Sequence, residues 1–180
     1  MTSLEFAMLR VLRLFRKLPF NILSFGNRKV IFAEYFKGFE KVEAVKSIFG
    51  EKTAEVLSHL TVELSWFLDY MYVDWLDGHL VISRSYLNKS SRIDIYLDLI
   101  HELCHIKQFM DGRELFDIRY DYVDRPTEIE AYCYSVQEAR RLGLSEERIC
   151  LYLRTEWMGE DSFRRLVKSV SRRQNNDEIT

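Results

Sequence analysis

The stretch from Ser91 to Gly112, SRIDIYLDLIHELCHIKQFMDG, decides how the rest of this chain is read. Ser91 can cap a helix, Asp94 three residues on completes a start that resembles a capping box, and Gly112 supplies the stop. The spacing predicts one long helix over 92–111. Ile93, Tyr96, Leu97, Ile100, Leu103 and Cys104 spread over a broad apolar face, and Asp94, Asp98, His101 and His105 share the opposite strip. Two histidines four apart lie about 40° apart around a helix axis, one a turn above the other. Imidazoles so placed can hold one Zn2+ and leave a coordination position open for water. Glu102 sits about 100° round from His101. That is too far to share the metal easily and near enough to take a proton from water there. Asp98, one turn before His101, is either the partner that orients its ring or a solvated aspartate.

A pair of histidines is not yet a metal centre, and a third ligand decides the matter. No histidine follows His105. Asp111 occupies the last ligand position of the pattern HExxHxxGxxH/D, but Gln108 stands where that pattern needs its turning glycine, so Asp111 is set aside. The better candidate lies in residues 126–140, PTEIEAYCYSVQEAR. With Pro126 in the first turn and Gly143 as the stop, this segment is a second helix. Ala131, Tyr132, Ser135, Ala139 and Leu142 fall within about 60° of Glu128 around its axis. The small residues among them form a face that a neighbouring helix can approach closely. Glu128 is one turn from the start of that face, where its carboxylate can reach a metal held by the histidines; otherwise it is simply a carboxylate favoured by the helix N-terminus. Glu130 points the opposite way with Gln137 and Arg141 and reads as solvated.

Outward from these helices the organisation is that of one α+β domain of 180 residues. A helix is expected at 3–17, an apolar stretch of undecided type at 29–36, a helix near 39–49 and a short one over 51–58. Val62, Leu64 and Trp66 alternate with polar residues as in a half-buried strand. Met71–Trp75 and Leu80–Ser83 bracket Asp77-Gly78, which favours a type I′ turn, so these runs read as a hairpin in a small antiparallel sheet. Further helices open at Ser145-Glu146-Glu147 and over 161–172. Residues 1–58 thus form a mostly helical part of the same domain, 59–170 its core, and 171–180 a polar tail expected to fray.

Composition narrows the function classes. The formal net charge is −2, which gives no global positive field for nucleic acid. Three cysteines without a CxxC pair argue against a disulfide framework or a zinc ribbon and suit a reducing, cytoplasmic setting. In the N-terminal segment Arg10, Arg13 and Lys17 share one helical face, and the arginines interrupt any membrane-spanning run. That helix either packs on the domain with a solvated basic edge or rests peripherally on a membrane or a partner.

The sequence His101-Glu102-x-x-His105, then 22 residues, then Glu128-x-x-Ala131, resembles the gluzincin clan of HExxH zinc metallopeptidases, which includes the minigluzincin and ImmA/IrrE-like proteins. The likeness covers roughly residues 79–142. It implies a zincin-like fold, with a small sheet packed on the active-site helix. It also implies one zinc held by His101, His105 and Glu128, Glu102 as the residue that activates water, and a peptide or protein as substrate. The strand just before the active-site helix, Leu80–Ser83, would be the edge that binds extended substrate. Many members carry Asp or Asn four residues after the ligand glutamate; Tyr132 stands there instead. Tyr120, Tyr122, Arg125 and Tyr132 are the candidates for stabilising an oxyanion. A zinc-stabilised binding or regulatory module without turnover is the rival reading, and a filled fourth coordination position would be its mark.

Overall fold

A computed structural model of the chain describes residues 28–66, 70–155 and 157–177. The helix expected at 3–17, with Arg10, Arg13 and Lys17, lies outside the described residues. The undecided stretch at 29–36 divides into strand β1 (Arg28–Ile31) and a single helical turn, α1 (Phe32–Tyr35). Phe32 is fully buried and meets Phe39 edge-on at 5.4 Å between ring centroids. Helix α2 (Glu43–Phe49) ends where Gly50 takes a positive φ of 60°, and α3 (Thr53–His59) follows. Val45, Ile48, Phe49 and Leu57 carry these helices into the same core as the sheet.

The sheet contains β1, β2 (Thr61–Ser65), β3 (Met71–Val73) and β4 (Leu80–Ser83) in the order β1-β2-β4-β3. It is mixed, not antiparallel as the sequence suggested. β1 pairs with β2 and β3 with β4 antiparallel, but β2 and β4 run parallel, Val62 opposite Leu80 and Ser65 opposite Ser83. The reason is topological: β3 returns on the far side of β4, so β4 slots in beside β2 with the same direction. Two further expectations change with it. β4 is an interior strand, buried on both faces, and the strand that borders the long helix is β3. Trp66, expected in the alternation of β2, lies just past the strand and is largely exposed, with Arg84 over its ring at 4.4 Å.

The hairpin between β3 and β4 forms, with a longer turn than two residues. The Asp74 N–H donates to His79 O at 2.8 Å, and the Gly78 N–H donates to Asp74 O at 2.8 Å. Gly78 sits at φ 73°, the left-handed region that a side chain disfavours. A Cβ there would lie 2.4 Å from the Phe109 ring, so the glycine also lets this turn press onto the long helix.

Helix α4 (Arg84–Lys89) leads into α5 (Arg92–Met110), whose N-terminus is capped by Ser91 Oγ accepting from the Asp94 N–H at 3.2 Å. Every residue of α5 from Leu99 to Ile106 is buried. The strip of His101 and His105 is therefore interior, covered by α6 (Pro126–Arg141). Ala131, Ser135 and Ala139 have no exposed surface, and Ser135 Oγ donates to Leu97 O at 3.0 Å, so the small face of α6 is the one laid against α5. Helix α7 (Glu146–Leu153) is capped by Ser145. Helix α8 (Glu160–Asp177) continues through much of the tail expected to fray, burying Leu166 and Val170 in the second half of the core. Among the described residues no helix is long and apolar enough to cross a membrane.

Gly78→Ala is expected to cost about 1–3 kcal/mol from overpacking and a left-handed alanine. Denaturant unfolding would measure it. In a double-mutant cycle with Phe109→Ala the penalty should shrink toward about 1 kcal/mol, the backbone share alone.

Candidate metal centre

Three buried side chains converge where the first turn of α6 crosses the middle of α5. His101 Nε2 and His105 Nε2 are 3.0 Å apart, and Glu128 Oε2 lies 3.3 Å from the first and 3.4 Å from the second. All three residues are less than one-tenth exposed. The i, i+4 spacing stacks the rings on one face of α5, and Pro126 starts α6 so that Glu128 falls in its first turn. Although both ring nitrogens lie within 3.4 Å of it, the buried Glu128 Oε2 accepts no hydrogen bond among the described residues.

An ion held 2.0–2.1 Å from nitrogen and oxygen ligands in tetrahedral geometry places those ligands about 3.3 Å from one another. The observed triangle has those edges, so the three residues fit a divalent ion of that size. Among the described residues no other His, Cys, Asp or Glu joins the group. Cys104, beside His105 in the sequence, accepts from Gln108 Nε2 at 3.4 Å and stays out of it.

The charges at the site follow from its burial. Burial, together with the positive His105, depresses the His101 imidazole against the pull of Glu128. Burial would depress His105 too, but the Glu128 carboxylate, helped by Glu102 and Gln108, raises it to about 9. Against its own burial, Glu128 is held far below the usual carboxylate range by the two imidazoles. Without an ion the site is thus a His105–Glu128 ion pair with His101 neutral beside it.

Glu102, one residue after His101 on α5, is buried as well. Burial pushes its carboxyl up to about 8, with the positive His105 acting in the other direction. A carboxyl with so high a proton affinity is suited to accept and release a proton near neutral pH.

The surroundings depart from expectation in several places. Asp98 does not orient His101: it accepts from the Tyr86 hydroxyl, and His101 Nδ1 has no partner among the described residues. The Tyr132 ring packs against His101 at 4.4 Å between centroids, and its hydroxyl lies 3.1 Å from that of Tyr122. Burial and the neighbouring Glu128 keep both phenols protonated. Arg125 is buried, donating from Nε to Asp117 O at 3.2 Å, whereas Tyr120 is exposed. Glu130 is not solvated as expected. It pairs with Arg113 and with Arg173 of α8, and accepts from Gln108 Nε2 at 3.0 Å. Gln108 is fully buried, with its Oε1 2.7 Å from His105 Nδ1. The sequence reading met Gln108 only as a missing glycine; its i+3 spacing from His105 was the available signal.

A second group, Asp74, Asp77 and His79, also lies close enough to share an ion. Its histidine is already engaged. Nδ1 pairs with Asp77 and Nε2 lies 3.4 Å from Glu63 of β2, and these carboxylates raise the imidazole despite its burial. That group reads as an ion-paired staple between the hairpin turn and β2.

No family model matches this chain, and no match to it was found among curated proteins or solved structures.

Burial also pushes the Asp98 carboxyl up to about 6, against the bond from Tyr86. A carboxyl raised in the folded state contributes stability that is present below about pH 4 and lost as pH rises through 6, of order 3 kcal/mol here. Asp98→Asn removes that loss. Its stability relative to wild type should therefore improve by about that amount between pH 4 and pH 7, as read by urea titrations at each pH.

Proposed function

We propose that this protein is a zinc-dependent metallopeptidase of zincin-like architecture, with a site of the gluzincin kind. One observation carries the reading: two imidazole nitrogens and a carboxylate oxygen, all buried, form a triangle with edges of 3.0–3.4 Å around a common point. His101, His105 and Glu128 are the residues that would hold the metal. Bound zinc supplies a Lewis acid that makes water nucleophilic at neutral pH and polarises a scissile carbonyl.

The chain's own residues do the rest. Glu102 accepts the proton of the attacking water and returns it to the leaving amine, a role its elevated proton affinity favours. Tyr122 and Tyr132 form a wall of protonated phenols beside Glu128 and His101, able to donate hydrogen bonds to developing negative charge. A peptide or protein is the proposed substrate, and a reducing, cytoplasmic compartment suits the three free cysteines.

The rival, a zinc-stabilised module without turnover, needs a fourth protein ligand, and the described residues offer none. A buried glutamate one position after the first histidine also has no part in such a module.

Elemental analysis of purified protein should find about one zinc per chain, lost in Glu128→Ala. Glu102→Gln should keep its zinc and lose about 10²–10⁴-fold in peptide hydrolysis. Zinc absent even after reconstitution, or full turnover in Glu102→Gln, would overturn the proposal. Because His105 carries a proton at neutral pH in the metal-free site, zinc must displace it. The apparent zinc affinity should therefore rise about tenfold per pH unit between pH 6 and pH 8, measured by competition with a chelator.

A further inference from the structure

We propose that Gln108 is a positioning residue that fixes His105 in its Nδ1–H tautomer and ties that ring to the helix carrying Glu128; the metal-binding consequence rests on the zinc reading above. The argument starts from the amide. Gln108 Nε2 lies 3.0 Å from Thr127 O, 3.0 Å from Glu130 Oε2 and 3.4 Å from Cys104 Sγ, so its NH2 faces acceptors only. Turning the amide over would set its carbonyl against a backbone carbonyl and a carboxylate inside a fully buried site. Each group then left unsatisfied costs about 1–3 kcal/mol. The orientation is therefore settled by chemistry and leaves Oε1 facing His105 Nδ1 at 2.7 Å.

A carbonyl oxygen only accepts, so Nδ1 must carry the hydrogen. The lone pair of the neutral ring is then on Nε2, the atom that faces His101 Nε2 and Glu128 Oε2. The same amide donates to the carbonyl of Thr127, the residue just before Glu128. One side chain thus sets the ring on α5 and the first turn of α6 together. Glu130, held by Arg113 and by Arg173, anchors the amide from outside. The device is one-sided, since His101 Nδ1 has no such partner among the described residues.

The test uses the full chain with Gln108→Met, which keeps the volume, and Gln108→Glu, which keeps an acceptor toward His105. Histidine side-chain ¹⁵N NMR on metal-free protein, with the pH raised until the His105 ring has titrated to its neutral form, reads the tautomer directly and does not need zinc. Wild type should show His105 as Nδ1–H, and Gln108→Met should shift it toward Nε2–H. Chelator competition with zinc should then show affinity reduced about 10–100-fold in Gln108→Met and partly restored in Gln108→Glu. The thermal midpoint of metal-free Gln108→Met should change far less than the affinity does. Wild-type His105 in the Nε2–H form would overturn the proposal even if neither variant folds, and so would undiminished zinc affinity in Gln108→Met. Failure of wild type to bind zinc while the tautomer comes out as expected would reject the zinc reading and leave the positioning role standing.

Discussion

The close approach of α6 to α5 is the constraint on which the rest of this structure depends. Ala131, Ser135 and Ala139 put no bulk between the two helices, and the Ser135 hydroxyl reaches the Leu97 carbonyl across the contact. Only at that separation can Glu128, in the first turn of α6, come within 3.4 Å of both imidazoles. The sheet and the remaining helices hold the pair from either side. β3 borders α5, while Leu166 and Val170 of α8 close the far side of α6.

Such an arrangement is costly in the ledger of folding alone. His101, Glu102, His105, Gln108 and Glu128 are all buried within one contact between helices. Desolvating ionisable groups costs several kcal/mol each unless partners recover it, and buried ion pairs return that only with good geometry. The geometry here is not that of a satisfied ion pair, because Glu128 Oε2 and His101 Nδ1 are both left without a hydrogen bond among the described residues. The His79 cluster has a carboxylate on each side of its ring, although its Nε2 likewise lacks a hydrogen bond among the described residues. What sets the His101–His105–Glu128 cluster apart is its triangle of two imidazole nitrogens and a carboxylate oxygen with edges of 3.0–3.4 Å, and the proposal of a zinc site rests on it.

Much of the fold was legible locally. The capping serine at 91, the stop at Gly112, the first-turn Pro126 and the Asp77-Gly78 turn each act through the backbone of neighbouring residues, and each marks a boundary that forms. The parallel pairing of β2 with β4 was not legible, because nothing in either strand records which neighbour it will meet. The position of β4 between β2 and β3 likewise reverses the expected edge. Glu130 misled for a similar reason: by helical angle it lies opposite the small face of α6, yet Gln108 of α5 and the arginines at 113 and 173 enclose it.

By itself the sequence determined the helix that carries His101, Glu102 and His105, the spacing that puts both rings on one face, and the small face of the helix that carries Glu128. Those are consequences of helical period and side-chain size, which are written into consecutive residues. Only the tertiary structure decided which oxygen meets which nitrogen, that Asp98 serves Tyr86 rather than His101, and that Gln108 stands behind His105. Those depend on distances between segments far apart in the chain, and such distances are set by how whole surfaces pack.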